Sequence, residues 1–208
     1  MNILKSKYFY GWNIVFIMAI TSSMTMALGT LNFGLFIKPM GDELQVGRSF
    51  FGWAQTARQV VGGLTSPWMG LWVDKYGSRI ILPLATLITG MGLILLGFNS
   101  SGILMIIIFG FIGITSLGGP GALITTVPIS KWFVSRRGKA LAITSLGVPI
   151  GAIIFVPLTQ YLIDFSGWRN TWIIFGLLAI IIIIPPSLVL LRRQPEDLGL
   201  LPDGEQSS

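Results

Sequence analysis

Six apolar stretches divide the sequence, and each is long enough to cross the ~30 Å hydrocarbon core of a bilayer as a helix that rises ~1.5 Å per residue. The stretches cover residues 11–37, 51–72, 80–98, 102–127, 141–163 and 171–191. Backbone polar groups inside a bilayer must be satisfied within the structure, and these stretches do not alternate polar with apolar residues, so helices are favoured over barrel strands. The sequence therefore predicts an all-α membrane protein with six transmembrane helices.

Chemically reactive residue types are scarce in the chain. It contains no His and no Cys among its 208 residues, and only eight acidic residues. His is the commonest general base and metal ligand, and Cys supplies thiolates, so we expect no enzyme activity, no metal site and no cofactor. The net charge of +6 does not indicate a nucleic-acid partner, because the cations lie between the apolar stretches, where they act as topology signals.

The basic residues lie mostly on one side of the predicted bundle. Six crossings put ten of the fourteen Lys and Arg residues on the side that holds both termini. By the positive-inside rule this side is cytoplasmic, which predicts a multi-pass protein of the cell (inner) membrane with both termini in the cytoplasm. The polar residues 194–208 cannot bury a core, so we expect them to form a mobile cytoplasmic tail that begins a central loop.

One spaced pattern, Pro-x6-Asp-x-x-Gly-x-Arg, occurs twice at a constant offset of 90 residues. Each copy closes the second helix of a three-helix set and opens the third, so the two copies face opposite sides of the membrane. This predicts two inverted three-helix repeats, about residues 8–98 and 99–193 of a bundle formed by residues 1–193, as in alternating-access transporters. Chance stays the alternative, because Gly, Pro and Arg are common at helix ends. The members of the two copies are Pro67, Asp74, Gly77 and Arg79, then Pro157, Asp164, Gly167 and Arg169.

Residues 70–79, GLWVDKYGSR, resemble the loop signature of the major facilitator superfamily, which is a Gly followed by Asp-(Arg/Lys)-x-Gly-x-Arg between helices two and three. Other parts of the chain are similar to monocarboxylate transporters and to their bacterial oxalate/formate-antiporter-like relatives. These parts are residues 10–12 (YGW), 36–40 (FIKPM), 131–142 (KWFVSRRGKALA), 167–169 (GWR) and 194–204 (QPEDLGLLPDG).

That resemblance implies a fold of twelve helices in two six-helix halves, of which this chain is the N-terminal half. Its partner is then a missing C-terminal six-helix half or a second copy of this chain, within the lipid bilayer. Many proton-coupled members of these families carry an Arg in helix four, whereas residues 106–121 carry no charge. This departure argues against proton coupling through that residue.

The resemblance also implies a latch on the cytoplasmic side that holds one access state closed. Asp74 would accept hydrogen bonds from Lys75 and Arg79, and Gly77 would allow the short loop to turn. The alternative is a role in topology alone, with the cations retained inside and the acid capping a helix. The latch set is Gly70, Asp74, Lys75, Gly77, Arg79, Arg136 and Arg137, and its repeat counterpart is Pro157, Asp164, Gly167 and Arg169.

Arg58 stands inside the second apolar stretch. A charge within a membrane helix costs at least about 2.5 kcal/mol, so this side chain should face a water-filled cavity or a partner. Its guanidinium offers a bidentate fork for a substrate carboxylate; the alternative is that it snorkels outward or pairs with Asp42 or Glu43. The resemblance implies that Lys38 contributes to anion and proton binding, and the alternative there is an interfacial Lys that snorkels.

Small residues fill the fourth apolar stretch around residues 115–126. They predict a broken or flexible segment near the membrane midplane, where substrate sites form, or simply close helix packing. The candidate substrate-binding residues are Asn32, Lys38, Trp53, Gln55, Arg58, Thr115 and Ser116.

The predicted function is that of the N-terminal half of a secondary active transporter. It moves a small organic anion, such as a monocarboxylate, across the membrane by alternating access, with or without a proton, as a symporter or an antiporter. The alternative is a truncated fragment that does not transport, or a membrane partner or regulatory subunit.

Overall fold

The structure is a computed structural model, and it describes residues 9–27, 29–115, 123–192 and 194–204. The described residues form helices and turns and contain no strand. The helices are α1 (Gly11–Ala27), α2 (Thr30–Leu44), α3 (Arg48–Tyr76), α4 (Ser78–Gly97), α5 (Gly102–Gly113), α6 (Leu123–Trp132), α7 (Arg137–Ser145) and α8 (Gly147–Leu190). Two short 3-10 turns, Pro195–Leu198 and Pro202–Gly204, follow them.

The first apolar stretch is interrupted and longer than predicted. Gly29, with extended backbone (φ −89°, ψ 173°), separates α1 from α2. A Cβ atom at this buried position would lie 2.8 Å from the carbonyl oxygen of Thr25. Any residue other than glycine would therefore require the neighbouring backbone to shift. α2 then continues through Pro39 to Leu44, seven residues beyond the predicted end, because the proline removes one backbone hydrogen bond without stopping the helix.

The fourth apolar stretch corresponds to α5 and α6. The predicted break at Gly118, Gly119, Pro120 and Gly121 lies outside the described residues, as does Ser116. Before the undescribed residues, α5 is apolar and 12 residues long, and after them α6 begins at Leu123.

The fifth predicted stretch begins in α7, and the rest of it merges with the sixth into α8. α8 is helical across the predicted loop at residues 164–170 except at Gly167. Gly167 has φ 81° and ψ 163°, a conformation that is essentially restricted to glycine. Gly77, between α3 and α4, has nearly the same backbone, with φ 79° and ψ 155°. The two glycines of the repeated pattern therefore make the same turn between consecutive helices.

Three helical runs are long and apolar enough to cross a membrane, judged by length and composition within the described residues. They are Gly11–Leu44, Ser78–Gly97 and Arg137–Leu190. The last run has 54 residues, or about 80 Å of helix at ~1.5 Å per residue, which is more than twice the hydrocarbon thickness. Its kink at Gly167 divides it into two helices. α3 has 29 residues but carries more polar side chains, among them Arg58.

The helices run between two ends of the bundle. One end, which we call the tail end, holds Tyr10, the α3–α4 turn, the α6–α7 turn and residues 194–204; there the Tyr10 hydroxyl donates to the carbonyl of Leu190 at 2.9 Å. The other end, which we call the opposite end, holds the α2–α3 turn, the α4–α5 turn and Gly167.

The core is built from aromatic rings and close helix contacts. Phe36 stacks on Trp172 with ring centroids 3.9 Å apart, and Phe33 lies 4.8 Å from Phe109. α4 and α8 approach so closely that a side chain at Gly176 would lie 2.6 Å from the carbonyl oxygen of Gly90. Such contacts between small residues allow van der Waals packing, which drives helix association where lipid replaces water.

Candidate functional site

Buried polar side chains form a layer at middle depth in the bundle. Counted at ~1.5 Å per residue from the helix end nearest the opposite end, its members lie about 12–20 Å deep. All are at most 9% exposed, although polar groups are disfavoured inside a membrane protein. The layer consists of Asn32 on α2, Arg58 on α3, Thr86 and Thr89 on α4, Thr115 beyond α5 and Thr159 on α8.

Asn32 is fully enclosed at the start of α2. Its Nδ2 donates to the carbonyl oxygen of Ala27 at 2.9 Å and to the hydroxyl of Thr159 at 2.8 Å. Because Ala27 is the last residue of α1, its carbonyl oxygen accepts no hydrogen bond within that helix. The amide of Asn32 supplies a hydrogen bond to it from the other side of the break. The sequence predicts Asn32 as a site residue but does not reveal Thr159, which lies 127 residues away.

Arg58 points into the bundle and is 9% exposed, so it does not snorkel outward. Its backbone lies directly against Gly113 of α5, where any side chain would collide with it. One turn earlier, both amide atoms of Gln55 are enclosed and make no hydrogen bond with any described residue. Glu43, one predicted partner of Arg58, pairs instead with Arg169 at 3.0 Å.

The other predicted substrate-binding residues are dispersed. Trp53 is 65% exposed on α3, and Lys38 is exposed on α2, nearer the opposite end than Arg58 is. Thr115 is 1% exposed and shares a hydrogen bond of 2.9 Å with Thr89. Ser116 is outside the described residues.

At the tail end, Asp74 accepts an ion-pair hydrogen bond from Lys131 at the end of α6, at 3.0 Å. The sequence predicts Lys75 and Arg79 as its donors, but these two have other contacts. The Lys75 ammonium lies 5.1 Å from the centroid of the Tyr76 ring, and Arg79 Nε donates to the carbonyl of Leu188 at 2.9 Å. The contact between Asp74 and Lys131 joins α3 to α6.

The two arginines of the repeated pattern have reciprocal roles. Arg79 begins α4 and binds a carbonyl in the last turn of α8. Arg169, just after the kink in α8, donates to the carbonyl of Gly97 at 3.2 Å at the end of α4, and to that of Asn99. Each arginine thus binds carbonyls that have no helical partner, at the negative end of the neighbouring helix.

The two acidic members of the pattern differ. At the opposite end, Asp164 accepts only a local hydrogen bond from Gln160, at 2.9 Å, whereas Asp74 bridges two helices. The bridging acid at the opposite end is Glu43, which accepts from Trp168 Nε1 at 2.6 Å and from Arg169 Nε at 3.0 Å. Pro157 is exposed within α8.

Residues 194–204, the described part of the predicted mobile tail, contact the bundle. The carboxylate of Asp203 accepts backbone hydrogen bonds from Val134 at 2.8 Å, Ser135 at 2.6 Å and Arg136 at 3.2 Å, at the start of α7. Burial alone would raise the pKa of Asp203, but these donors outweigh it and hold the pKa below its ordinary value of 3.8. Arg136 acts here through its backbone, and its side chain and that of Arg137 are exposed.

No group of three acidic, His or Cys side chains that could hold a metal ion occurs among the described residues. The candidate site consists of hydrogen-bonding side chains and the buried guanidinium of Arg58.

Fold and site together define a multi-pass helical membrane protein with a polar layer inside the bundle. Residues 11–207 match the family model of the Major Facilitator Superfamily. The chain belongs to the major facilitator superfamily, and this membership points to a transporter rather than an enzyme.

Curated relatives are similar at modest identity. Human monocarboxylate transporter 6 is 26% identical over 168 residues, which cover 80% of this chain and 33% of that protein. Mouse monocarboxylate transporter 14 is 25% identical over 202 residues, covering 95% of this chain and 38% of the relative. A probable sulfoacetate transporter of Cupriavidus necator is 28% identical over 134 residues, covering 64% of this chain and 29% of the relative. The chain thus spans less than half the length of the curated relatives it matches.

Proposed function

We propose that this chain forms one six-helix half of a secondary active transporter that moves a small organic anion across the cell (inner) membrane by alternating access. The observation that carries the proposal is Arg58, a guanidinium enclosed at about 15 Å depth, counted at ~1.5 Å per residue along α3. A buried charge in a membrane helix requires an offset of several kcal/mol, and an anionic substrate supplies one. Relatives named for a substrate are monocarboxylate transporters and a probable sulfoacetate transporter, and these substrates are organic anions.

The proposed architecture has six crossings arranged as two inverted three-helix repeats, within residues 1–193, and a tail of residues 194–208. The matching backbone at Gly77 and Gly167 supports it, as do the reciprocal contacts of Arg79 and Arg169 at opposite ends of the bundle. In this arrangement the first repeat consists of three crossings: α1 with α2, then α3, then α4. The second repeat also has three: α5 with α6, then α7 with α8 up to Gly167, then the rest of α8. The positive-inside rule places the tail end, with both termini, in the cytoplasm.

The substrate site lies in the polar layer. Arg58 binds the carboxylate through its fork of donors, and the enclosed amide of Gln55 is the nearest further group on the same helix. Lys38, exposed toward the opposite end, attracts anions to the entrance, as charges lining a pathway do. Asn32, Trp53, Thr115 and Ser116 complete the proposed set, and a proton is a candidate coupling ion for symport or antiport.

The tail-end contacts form the proposed latch. Asp74 and Lys131 join α3 to α6, while Asp203 holds the α6–α7 turn. Gly70, Lys75, Gly77, Arg79, Arg136 and Arg137 shape this surface. A second bundle, either a C-terminal half or a second copy of this chain, supplies the opposing wall of the pathway, because alternating access moves one bundle against another around the site.

Arg58 provides the test. In vesicles that contain the assembled transporter at equal protein levels, Arg58→Gln should weaken the affinity for labelled oxalate, formate or lactate at least about tenfold, or ~1.4 kcal/mol. Arg58→Lys should recover part of this loss, because it restores the charge without the bidentate fork. Arg48→Gln, which removes an exposed charge at the start of the same helix, is the matched control and should bind as wild type. An Arg58→Gln variant that binds these anions with unaltered affinity would contradict the proposal.

A further inference from the structure

Residues 194–203, which we call the strap, form a compact segment on the surface of the bundle. The 3-10 turn Pro195–Leu198 ends at Gly199, which has the left-handed conformation with φ 67°. The Leu200 amide then donates back to the carbonyl of Pro195 at 3.1 Å. Leu200 packs against the hydrophobic core, so the strap is fixed by apolar contact as well as by hydrogen bonds.

Both ends of the strap lie against the same short turn. Just before the strap, Trp132 Nε1 donates to the carbonyl oxygen of Arg192 at 3.4 Å, and at the other end Asp203 accepts from the Val134–Arg136 amides. Trp132 is 0% exposed, so the first of these contacts lies inside the bundle. The strap therefore ties the end of α8 to the α6–α7 turn as a loop whose ends are close together, a kind of loop that is frequently functional.

The residues beside this turn include a member of the proposed latch. Lys131, in the last turn of α6, pairs with Asp74 of α3 at 3.0 Å. Phe133 packs its ring 5.4 Å from that of Phe9. Neighbouring residues thus contact α3, the N-terminal aromatic residues and the strap. A displacement of the turn also displaces Lys131, because Lys131 lies three residues before the first amide that donates to Asp203.

The ion pair between Lys131 and Asp74 is too exposed to position the turn by itself. The two side chains are 32% and 65% exposed. Such a pair contributes little, because water screens the attraction and ordering two side chains costs conformational entropy. A carboxylate that accepts three backbone hydrogen bonds makes a stronger attachment. The strap is therefore the contact that determines where Lys131 lies.

We infer that the strap is a conformational device. In it Asp203 is a positioning residue: its attachment to the α6–α7 turn places Lys131 within reach of Asp74, and release of the strap opens the tail-end latch. The inference rests on the proposed function in one respect, that the pair of Asp74 and Lys131 acts as a latch. It makes the latch depend on the segment that leads away from the last helix of the bundle.

The proximity of positions 74 and 131 tests the inference, and the sequence contains no Cys that would interfere. The full chain with Asp74→Cys and Lys131→Cys is placed in lipid nanodiscs without oxalate, formate or lactate, and the fraction joined by a short bismaleimide is followed over time. Because this background lacks the ion pair, the rate of joining reports how the fold positions the two sites, as an effective concentration. We expect Asp203→Asn to slow the joining at least about tenfold.

Two further variants show whether the carboxylate of Asp203 is responsible. Asp203→Glu keeps the charge and should recover part of the rate. Asp197→Asn removes an exposed acid from the same strap and is the matched control, which should join as fast as the parent. An unchanged rate in Asp203→Asn, or an equal slowing in Asp197→Asn, overturns the inference.

Hydrogen exchange decides the matter if the background with two cysteines fails to fold. In the otherwise wild-type chain, Asp203→Asn should lower the protection of the Lys131 and Trp132 amides at least about threefold, because the whole turn loosens. A loss confined to the Val134–Arg136 amides, which bind Asp203 directly, overturns the inference. None of these measurements involves transport, so their failure leaves the proposed function standing. Absence of anion transport contradicts the proposed function and leaves the measured control of positions 74 and 131 unaffected.

Discussion

Glycine at positions 77 and 167 is required by backbone geometry. Both residues have φ near 80° with ψ near 160°, where a side chain strains the backbone. Around Gly167 there is open space within 4 Å, so a methyl group there would meet no neighbour and its effect would come from the backbone alone. The repeated pattern identifies these two positions from the sequence, since glycine at a helix boundary has a recognisable role.

Replacing either residue by alanine should therefore destabilise the bundle. We expect Gly167→Ala and Gly77→Ala each to lower the free energy of unfolding by about 1–3 kcal/mol, the range for residues in this region of conformational space. Thermal unfolding in detergent, followed by circular dichroism, measures the change. The control is Gly63→Ala, which lies within α3 and also has open space around it; it should be neutral or stabilising. A Gly167→Ala variant as stable as wild type would contradict the assigned backbone strain.

The side-chain partners at these turns could not be predicted from the sequence. Asp74 pairs with Lys131, 57 residues away, while Arg79 reaches Leu188, 109 residues away. A local motif indicates that charges gather at a helix end, but which atoms meet depends on how α3, α6 and α8 pack. For the same reason Arg58 was predictable as a buried cation, whereas the link between Asn32 and Thr159 was not.

At the scale of elements, continuous hydropathy predicts where helices run but not where they break. α1 and α2 fall within one apolar stretch, and the interruption at Gly29 carries no polar signal. α8 passes through the predicted loop at residues 164–170 because a single glycine suffices for the turn, so six polar or aromatic neighbours remain helical. Lengths of apolar sequence predict the presence of helices better than they predict helix boundaries.

The described tail residues, 194–204, make a contact with the bundle that their composition does not indicate. Their composition is that of a mobile segment, yet Asp203 ties them to the α6–α7 turn through three backbone donors. The free N–H groups at the start of a helix make such a turn a ready site for a carboxylate. A composition argument overlooks this, because one well-placed acid is enough to anchor a short tail.

Removing the charge at Asp203 should release the tail. We expect Asp203→Asn to lower the hydrogen-exchange protection of the Val134–Arg136 amides roughly tenfold, because hydrogen bonds to a charged acceptor are stronger than those to a neutral one. The control is Asp197→Asn, which changes an exposed acid in the same tail. Equal protection in wild type and Asp203→Asn would contradict the docking contact.

The same contact should depend on pH in a defined direction. Since the folded pKa of Asp203 lies below its ordinary value of 3.8, the contact contributes its full stability above that value. It is lost as the pH falls through the lower, folded pKa. Protection of the Val134–Arg136 amides, corrected for intrinsic exchange rates, should therefore be constant at neutral pH and should fall in acid in wild type but not in Asp203→Asn.

At the scale of the whole molecule, the described residues form one bundle with a polar layer at middle depth and charged contacts at both ends. The repeated turn conformations at Gly77 and Gly167 and the reciprocal arginine caps fit two three-helix units of opposite orientation. Alternating access requires such a bundle to move against a second one around a shared site. The central claim is that this chain is one half of an organic-anion transporter.

The most direct test is anion exchange by the chain with and without a second bundle. Uptake of labelled oxalate, formate or lactate into vesicles preloaded with the same anion is measured for the chain shown to be monomeric by single-molecule photobleaching. It is measured again for the chain joined to a second bundle, either the segment encoded directly downstream or a tandem second copy. We expect exchange in a paired form and none above protein-free vesicles for the monomer. Robust exchange by the monomer, or no exchange of any of the three anions in either pairing, would contradict the central claim.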